Sequence, residues 1–378
     1  MKAIDFFIPN FDDLGAQMVA INVANSLVNY FNIRFVVFND KGKFRNLLDN
    51  KIEVIQLDKG YLNINKIRIF NRLFQYLKYS KIEKTNIVVS FSPITNVIAL
   101  FTKFFNSKLK VVIQEHCFPS VATEDRQNLS WFWAFMFKKV FYKFYNKSDL
   151  FITISEAIKI DFVNNFKINK DIIKIVRNPV NIDNIIFSTK EEVNDFNFES
   201  QKKYLIGVGR LVDQKNFTKL LDIFSLIRQK RSDVDLIILG HGPNLDSLIK
   251  KSIDLNLKDS VHFLGFKSNP YKFLSRFNCF CLTSLWEGLP QVIAEAMICR
   301  VPVISVDCES GPKEMIINKE TGILVDKDDN TLFADYICEL IDNNKMREEL
   351  INKSYNFATR EYSIERCLNK YLEILNSI

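Results

Sequence analysis

The run Gly207-Val208-Gly209-Arg210-Leu211, followed by Gln214-Lys215-Asn216, sets two cations just beyond a short apolar segment. Arg offers a planar fork of donors and Lys a mobile point charge, a pairing suited to a diphosphate. The glycines let backbone pass close to a ligand. The third glycine of the dinucleotide fingerprint is missing, so this is an anion grip of another kind. A tight turn with two solvated cations is the plainer alternative. A second run, Glu287-Gly288-Leu289-Pro290-Gln291-Val292-Ile293-Ala294-Glu295, follows an apolar segment and opens a helix. Gly288 and Pro290 shape a tight loop, and N–H groups at a helix start favour an anion or a hydroxyl-rich ligand. Glu295, one to two turns into the helix, is placed to accept two hydrogen bonds from a ribose diol. Glu287 stays at the loop.

His116 closes the apolar run VVIQEH and is the only His in the first half of the chain. A neutral imidazole there can donate or accept one hydrogen bond to a substrate hydroxyl; a loop His beside a buried strand is the alternative. His241 and His262 read as structural, and Ser155, followed by Glu156, reads as a helix N-cap. Asp326-Lys327-Asp328-Asp329 has a metal-like spacing, but acids at a helix start are ordinary. Seven Cys are scattered without zinc spacing and read as buried free thiols. The close pair Cys279 and Cys281 is expected to point to opposite faces of a strand, a poor chelate.

These residues need elements to position them, and the chain alternates short apolar strands with amphipathic helices throughout. Strands are expected at Ala3–Ile8, Arg34–Phe38, Val54–Leu57, Ile87–Ser90, Val111–Gln114 and Leu150–Ile154, with helices such as Ile67–Tyr79 and Ile94–Phe105 between them. The polar segment 189–203 breaks the rhythm and is expected as a linker. Strands resume at Tyr204–Val208, Asp235–Leu239, Val261–Leu264, Cys279–Leu282, Val303–Val306 and Ile323–Val325, with helices at Phe217–Lys230, Gln291–Ile298 and Thr331–Asn343. Unbroken apolar strands separated by helices imply parallel sheets covered on both faces. The expected organisation is an α/β chain of two Rossmann-like, doubly wound domains: 1–188, the linker, 204–360, and a terminal helix within 361–378 packing back on the first domain. Ligands then belong at the carboxyl ends of the strands, in a cleft between the domains.

The 378 residues are ample for two cores, and 47% hydrophobic with 25% charged is a globular balance. No apolar run reaches the roughly 18 residues of a spanning helix, and the start reads as a first strand, not a signal peptide. A cytoplasmic location is expected. Residues 1–190 carry +11 and the remainder −4, so the first half suits an anionic partner. Ser130–Lys147, dense in aromatics and holding four Lys, reads either as a core helix burying Phe132, Phe135, Val140 and Phe144 or as a face for anionic lipid. No nucleic-acid module is present, which argues against that partner.

The run SLWEGLPQVIAEAMICRVPVISVDCESGPKEMI resembles the retaining glycosyltransferases of family four, with GT-B architecture. Their signature is Glu, seven residues, Glu, then an apolar strand and a Gly-Pro-basic-Glu turn. GVGRLVDQKNF, LIILGHGP, VHFLGFKSNPYKFL and ETGILV extend the likeness in order over 204–326. Leu14-Gly15-Ala16-Gln17, Glu115-His116, Ile154-Ser155-Glu156 and Asn178-Pro179-Val180 carry it more weakly in the first domain. The family shows Gly-Gly where this chain has Leu14-Gly15.

The resemblance implies that Arg210 and Lys215 hold a donor diphosphate, Glu295 the ribose and Glu287 the donor sugar. Gln291 and Val292 would meet phosphate through backbone N–H groups, Gly209, Gly288 and Leu289 would line the donor, and Phe266 and Lys267 would flank the nucleobase. Gly15 would approach the diphosphate on closure, and His116 would contact donor sugar or acceptor. It also implies transfer of a hexose or N-acetylhexosamine from a UDP-sugar, without metal or other cofactor. The acceptor would be a polyprenyl-diphosphate-linked glycan of bacterial surface polysaccharide, met at the inner face of the plasma membrane. Two rivals are a nucleotide-sugar 2-epimerase of the same architecture and a non-catalytic partner in glycan assembly. The intact set Arg210, Lys215, Glu287 and Glu295 argues against the latter.

Overall fold

The computed structural model describes residues 2–12, 15–57, 68–83, 85–116, 118–122, 141–308 and 311–378. They form two compact units, Met1–Pro179 with Ile364–Ile378, and Val180–Ser363.

The first unit is built on seven parallel strands: β1 (Ala3–Ile8), β2 (Asn32–Val37), β3 (Glu53–Gln56), β4 (Ile87–Ser90), β5 (Lys110–Glu115), β6 (Leu150–Thr153) and β7 (Ile173–Ile175). Their order is β3-β2-β1-β4-β5-β6-β7, so the winding reverses between β1 and β4. β7 is not among the expected strands, since three residues give no period to read. Inner strands are apolar on both faces because helices cover both, as a parallel sheet requires. The helix Pro93–Phe105 starts where Ser92 and Thr95 form a capping box and Pro93 takes the first turn. Ser155 caps Glu156–Phe166 by accepting from the Ile158 N–H at 3.3 Å.

The terminal helix Ile364–Asn376 belongs to this first unit, burying Cys367, Tyr371, Ile374 and Leu375 in the core under Gly15–Leu27. That i, i+4, i+7, i+8 spacing is one helix face. Each such large apolar side chain contributes roughly 1.5–3 kcal/mol when buried. Phe144, expected in a core, is 38% exposed, while Tyr142 and Tyr145 are buried. The short helix Tyr142–Phe144 runs into a 3₁₀ turn at Tyr145–Lys147, which turns Phe144 outward. Phe132, Phe135 and Val140 lie outside the described residues.

The second unit holds six parallel strands: β8 (Lys203–Val208), β9 (Val234–Leu239), β10 (Val261–Gly265), β11 (Cys279–Leu282), β12 (Val303–Asp307) and β13 (Ile323–Asp326). The order β10-β9-β8-β11-β12-β13 reverses between β8 and β11. The division between units falls at 179/180 and 363/364. Residues 189–203 lie inside the second unit because Phe196 and Phe198 pack edge-on against Tyr204 and Asn269 Nδ2 donates to the Ser188 carbonyl at 2.9 Å. Cys279 and Cys281 face the same core, correcting the expectation of opposite faces: residues two apart share one side of a strand. The six described cysteines are free thiols, five of them buried. Among the described residues no helix is long and apolar enough to cross a membrane.

Candidate functional site

The order reverses between β8 and β11, and doubly wound sheets place ligands at the carboxyl ends of the strands at such a switch point. Beyond β8, the Gly209 N–H donates to the Leu239 carbonyl and the Leu211 N–H to the His241 carbonyl, each at 3.0 Å. This pins the backbone on both sides of Arg210, whose side chain is exposed and has no ion-pair partner among the described residues. The 3₁₀ turn Asp213–Lys215 follows. Asn244 Nδ2 donates to Asp213 Oδ1 at 2.6 Å, and Gln214 Nε2 to the Trp286 carbonyl at 3.1 Å. The Leu285 N–H returns a bond to the Gln214 carbonyl at 2.8 Å, so the turn is stitched to the loop after β11.

That stitching brings Lys215 and Glu287 together. Lys215 Nζ donates to Glu287 Oε1 at 2.5 Å, and Ser284 Oγ donates to the same oxygen at 2.6 Å. Glu287 is 5% exposed. The stem of Lys215 lies across Gly209, where a Cβ would stand 3.3 Å from Lys215 Cδ and Cε, and a Cβ at Gly207 would strike Phe217 at 2.8 Å. Both glycines therefore make room for side chains of this unit, Phe217 at one and Lys215 at the other.

The loop 287–290 is braced from β12. Gly311 has φ +74°, and a Cβ there would lie 2.7 Å from Pro290 Cδ and 3.0 Å from Glu287 Cβ. Leu289 is buried and Gly288 half-buried in this loop. Gln291 and Val292 then open the helix Gln291–Ile298, whose N-cap Pro290 offers no side-chain cap. First-turn N–H groups lack intrahelical acceptors and carry the positive end of the helix dipole. Glu295 is half-buried on this helix. Burial pushes its carboxyl up to about 7, against the pull of the Tyr271 hydroxyl bonded to it; burial and Glu295 in turn hold the Tyr271 hydroxyl well above its usual range. Beyond β10, Phe266 is 70% exposed. Lys267 pairs with Asp195 and stands 5.6 Å from the Phe273 ring centroid.

Arg210, Lys215, Glu287, Gly288 and the helix Gln291–Ile298 thus stem from the loops after β8 and β11. Gln214, Ser284, Asn244, Tyr271 and Gly311 hold them; in the sequence Gln214 stands in the cation run without a role of its own, Gly311 is visible in the Gly-Pro-basic-Glu turn, and the other three carry no signal. Asp329 caps the helix Asn330–Asp342, accepting from the Leu332 N–H at 2.8 Å, and Asp326 accepts from the Asp328 N–H at 2.9 Å. Both are occupied as acids at a helix start should be. His262 bonds Asp235 at 3.0 Å in the core edge.

In the first unit, His116 lies one residue past β5, its ring 6.3 Å from Phe91 and stacked on it. Neither ring nitrogen has a hydrogen-bond partner among the described residues. Burial pushes the imidazole down to about 4, so it is neutral at physiological pH. Gly15 begins the helix Gly15–Leu27, and a Cβ there would meet nothing within 4 Å. Among the described residues no packing demand explains a glycine at that position. Leu14 lies outside the described residues.

Residues 188–357 match the family glycosyl transferases group 1, and residues 15–184 match glycosyltransferase family 4. The chain is 28% identical over 380 residues, 98% of this chain and 100% of the relative, to N-acetylgalactosamine-N,N'-diacetylbacillosaminyl-diphospho-undecaprenol 4-alpha-N-acetylgalactosaminyltransferase of Campylobacter jejuni. It is 27% identical to the poly(ribitol-phosphate) alpha-N-acetylglucosaminyltransferase of Staphylococcus aureus, covering 100% of this chain and 74% of the relative. Anabaena HepE, solved in complex with UDP-glucose, matches with a TM-score of 0.80 and 18% identity over 100% of both chains. At that identity the likeness is one of fold.

Proposed function

The chain belongs to the group 1 and family 4 glycosyltransferases of GT-B fold, and from that premise we propose a retaining transfer of a hexose or N-acetylhexosamine from a UDP-sugar to a polyprenyl-diphosphate-linked glycan of bacterial surface polysaccharide. The observation that carries this reading is the Lys215–Glu287 pair beside Arg210, at the carboxyl ends of β8 and β11. Two relatives named for N-acetylhexosaminyl transfer, one of them to a diphospho-undecaprenol-linked sugar, support the substrate class. HepE, holding UDP-glucose on the same fold, supports the donor.

In this reading the second unit holds the donor. Arg210 and Lys215 offset the diphosphate charge, helped by the N–H groups of Gln291 and Val292, with Gly209, Gly288 and Leu289 shaping the surface around it. Glu295 accepts from the ribose hydroxyls, Glu287 from the sugar, and Phe266 with Lys267 borders the base. The bond between the anomeric carbon and the diphosphate oxygen breaks, and the acceptor oxygen bonds that carbon on the same face. The acceptor proton passes to the departing phosphate oxygen. Charge on the leaving group is offset by protein groups, so no resident metal is part of the proposal. His116, neutral and one residue beyond β5, hydrogen-bonds a sugar or acceptor hydroxyl, and Gly15 gives a close backbone approach. A lipid-linked acceptor and the +11 charge of residues 1–190 favour peripheral contact with an anionic membrane from the cytoplasmic side.

The test is a thermal-shift and hydrolysis screen of UDP-glucose, UDP-galactose and their N-acetylhexosamine counterparts against wild type and Lys215→Ala, with proton NMR of any glycoside formed. Stabilisation by a UDP-sugar, lost in Lys215→Ala, and a product keeping the donor's anomeric configuration are expected. Inverted product, or epimerised donor without transfer, would refute the reading.

A further inference from the structure

Resting on the reading of His116 above, we propose that Tyr371, on the terminal helix, is a positioning residue for His116, acting through Gln114 in a clamp that Asn96 and Tyr145 complete. An imidazole is ordinarily oriented by the bond its second nitrogen makes. His116 has no such bond among the described residues, so its ring is placed by packing and by the backbone it hangs from. That backbone is the end of β5, which outruns its neighbour. Pairing with β4 ends at Ser90 opposite Ile113, while pairing with β6 continues through Gln114 opposite Ile152 and Glu115 opposite Thr153.

Side chains take the ladder's place. Asn96, on the helix that follows β4, donates its amide to the Gln114 carbonyl at 3.1 Å and to Glu115 Oε1 at 3.0 Å. Tyr145 donates its hydroxyl to Glu115 Oε1 at 2.5 Å. Gln114 points to the opposite sheet face, as alternation requires, and there Tyr371 donates its hydroxyl to Gln114 Oε1. Asn96, Gln114 and Tyr145 are fully buried, Tyr371 and Glu115 nearly so. Bonds in such surroundings are held firmly, since water does not compete for them. The last two residues before His116 are thus gripped from both faces, and one grip comes from a helix 257 positions away in sequence.

The chain has three His, so ring resonances of the full-length, histidine-labelled protein are assigned by their absence in His116→Gln. Tyr371→Phe keeps the ring in its core and removes one hydroxyl. The expected result is a displaced His116 resonance whose titration midpoint rises from about 4 toward 6.5, with His241 and His262 unmoved. Turnover of UDP-glucose or UDP-N-acetylglucosamine, whichever the enzyme uses, should fall about fivefold in kcat at unchanged KM, the effect of one neutral hydrogen bond. In the His116→Gln background the same change should cost nothing further. Tyr145→Phe is the second variant and should behave alike. Unmoved His116 resonances in both variants, or losses that multiply with His116→Gln, would overturn the proposal. Lys215→Ala without effect on UDP binding would instead sink the donor-site reading and leave the resonance arm standing.

Discussion

Lys215→Met separates what the Lys215–Glu287 pair does for the fold from what it does for the ligand. Methionine keeps most of the stem that lies across Gly209, where a Cβ would stand 3.3 Å from it, and removes the charge. Glu287, 5% exposed, then loses the ammonium 2.5 Å away. Breaking a buried pair by removing one partner costs about 3–5 kcal/mol. Here the Lys215 side chain is 16% exposed and Ser284 still donates to the same carboxylate oxygen, so about 1–3 kcal/mol is the reasoned figure. A charge-assisted hydrogen bond to phosphate is worth about 1.5–3 kcal/mol, which makes the loss of UDP affinity roughly 10- to 150-fold. Denaturant unfolding and UDP calorimetry measure the two effects. The double variant Lys215→Met/Glu287→Gln removes the stranded charge, so stability should return to within about 1 kcal/mol of wild type while UDP affinity stays low. Wild-type UDP affinity in Lys215→Met would refute the assignment of Lys215 to the diphosphate. Simple additivity of the two stability losses would refute the account of the pair.

Gly311→Ala must adopt φ +74° and place a Cβ 2.7 Å from Pro290 Cδ; a loss of about 2–4 kcal/mol in unfolding free energy, with weaker UDP binding, is expected. Glu295 has a folded pKa near 7 against 4.5 when unfolded, so the unfolded chain releases its proton first and wild-type stability falls as pH rises from 4.5 through 7. Glu295→Gln should therefore exceed wild type in stability by about 1–3 kcal/mol at pH 8 and match it near pH 4, and wild-type UDP affinity should rise through pH 7 as the carboxylate forms. For His116 the sign is opposite: its folded pKa of about 4 lies below the usual 6.5. The unfolded chain alone takes up the proton between those values, so up to about 3 kcal/mol of stability is lost as pH falls from 6.5 to 4. His116→Gln should show a shallower acid limb in pH-dependent unfolding.

The parts of the fold that were legible are those with strong local patterns. β1, β4 and β11 fall on the expected residues, and the helix Gln291–Ile298 does as well. The helix Asn344–Glu361 carries little signal because its 18 residues bury only Leu350, Ser354 and Ala358. Within the site, Arg210, Lys215, Glu287 and Glu295 stand out because a cation pair past an apolar strand and acids framing Gly-x-Pro are uncommon combinations. Their partners were hidden by sequence distance. The ion pair spans 72 positions, and nothing in Gln214, Asn244 or Tyr271 alone announces a role. Nor did the spacing of Gly207 and Gly209 announce that they make room for Phe217 and Lys215.

The two units solve the same geometric problem with opposite chemistry. The winding of each reverses once, and each must fix side chains on loops past the strand ends there. The second unit does so with charge: Lys215 and Glu287 hold each other, and the turn before Lys215 is tied through the main chain and side chain of Gln214 to residues 285 and 286. Such an arrangement meets an anion with the cation already in place, so little is lost to ordering when the ligand arrives. The first unit offers a neutral ring whose nitrogens are unsatisfied among the described residues, and a buried polar atom left so is costly. On the proposed role, a substrate hydroxyl bonded to His116 would relieve that cost and would make the imidazole a discriminating contact. An analogue lacking the hydroxyl would leave the ring unpaired and should bind more weakly by roughly 1–3 kcal/mol, the difference that deoxy-sugar analogues can measure directly.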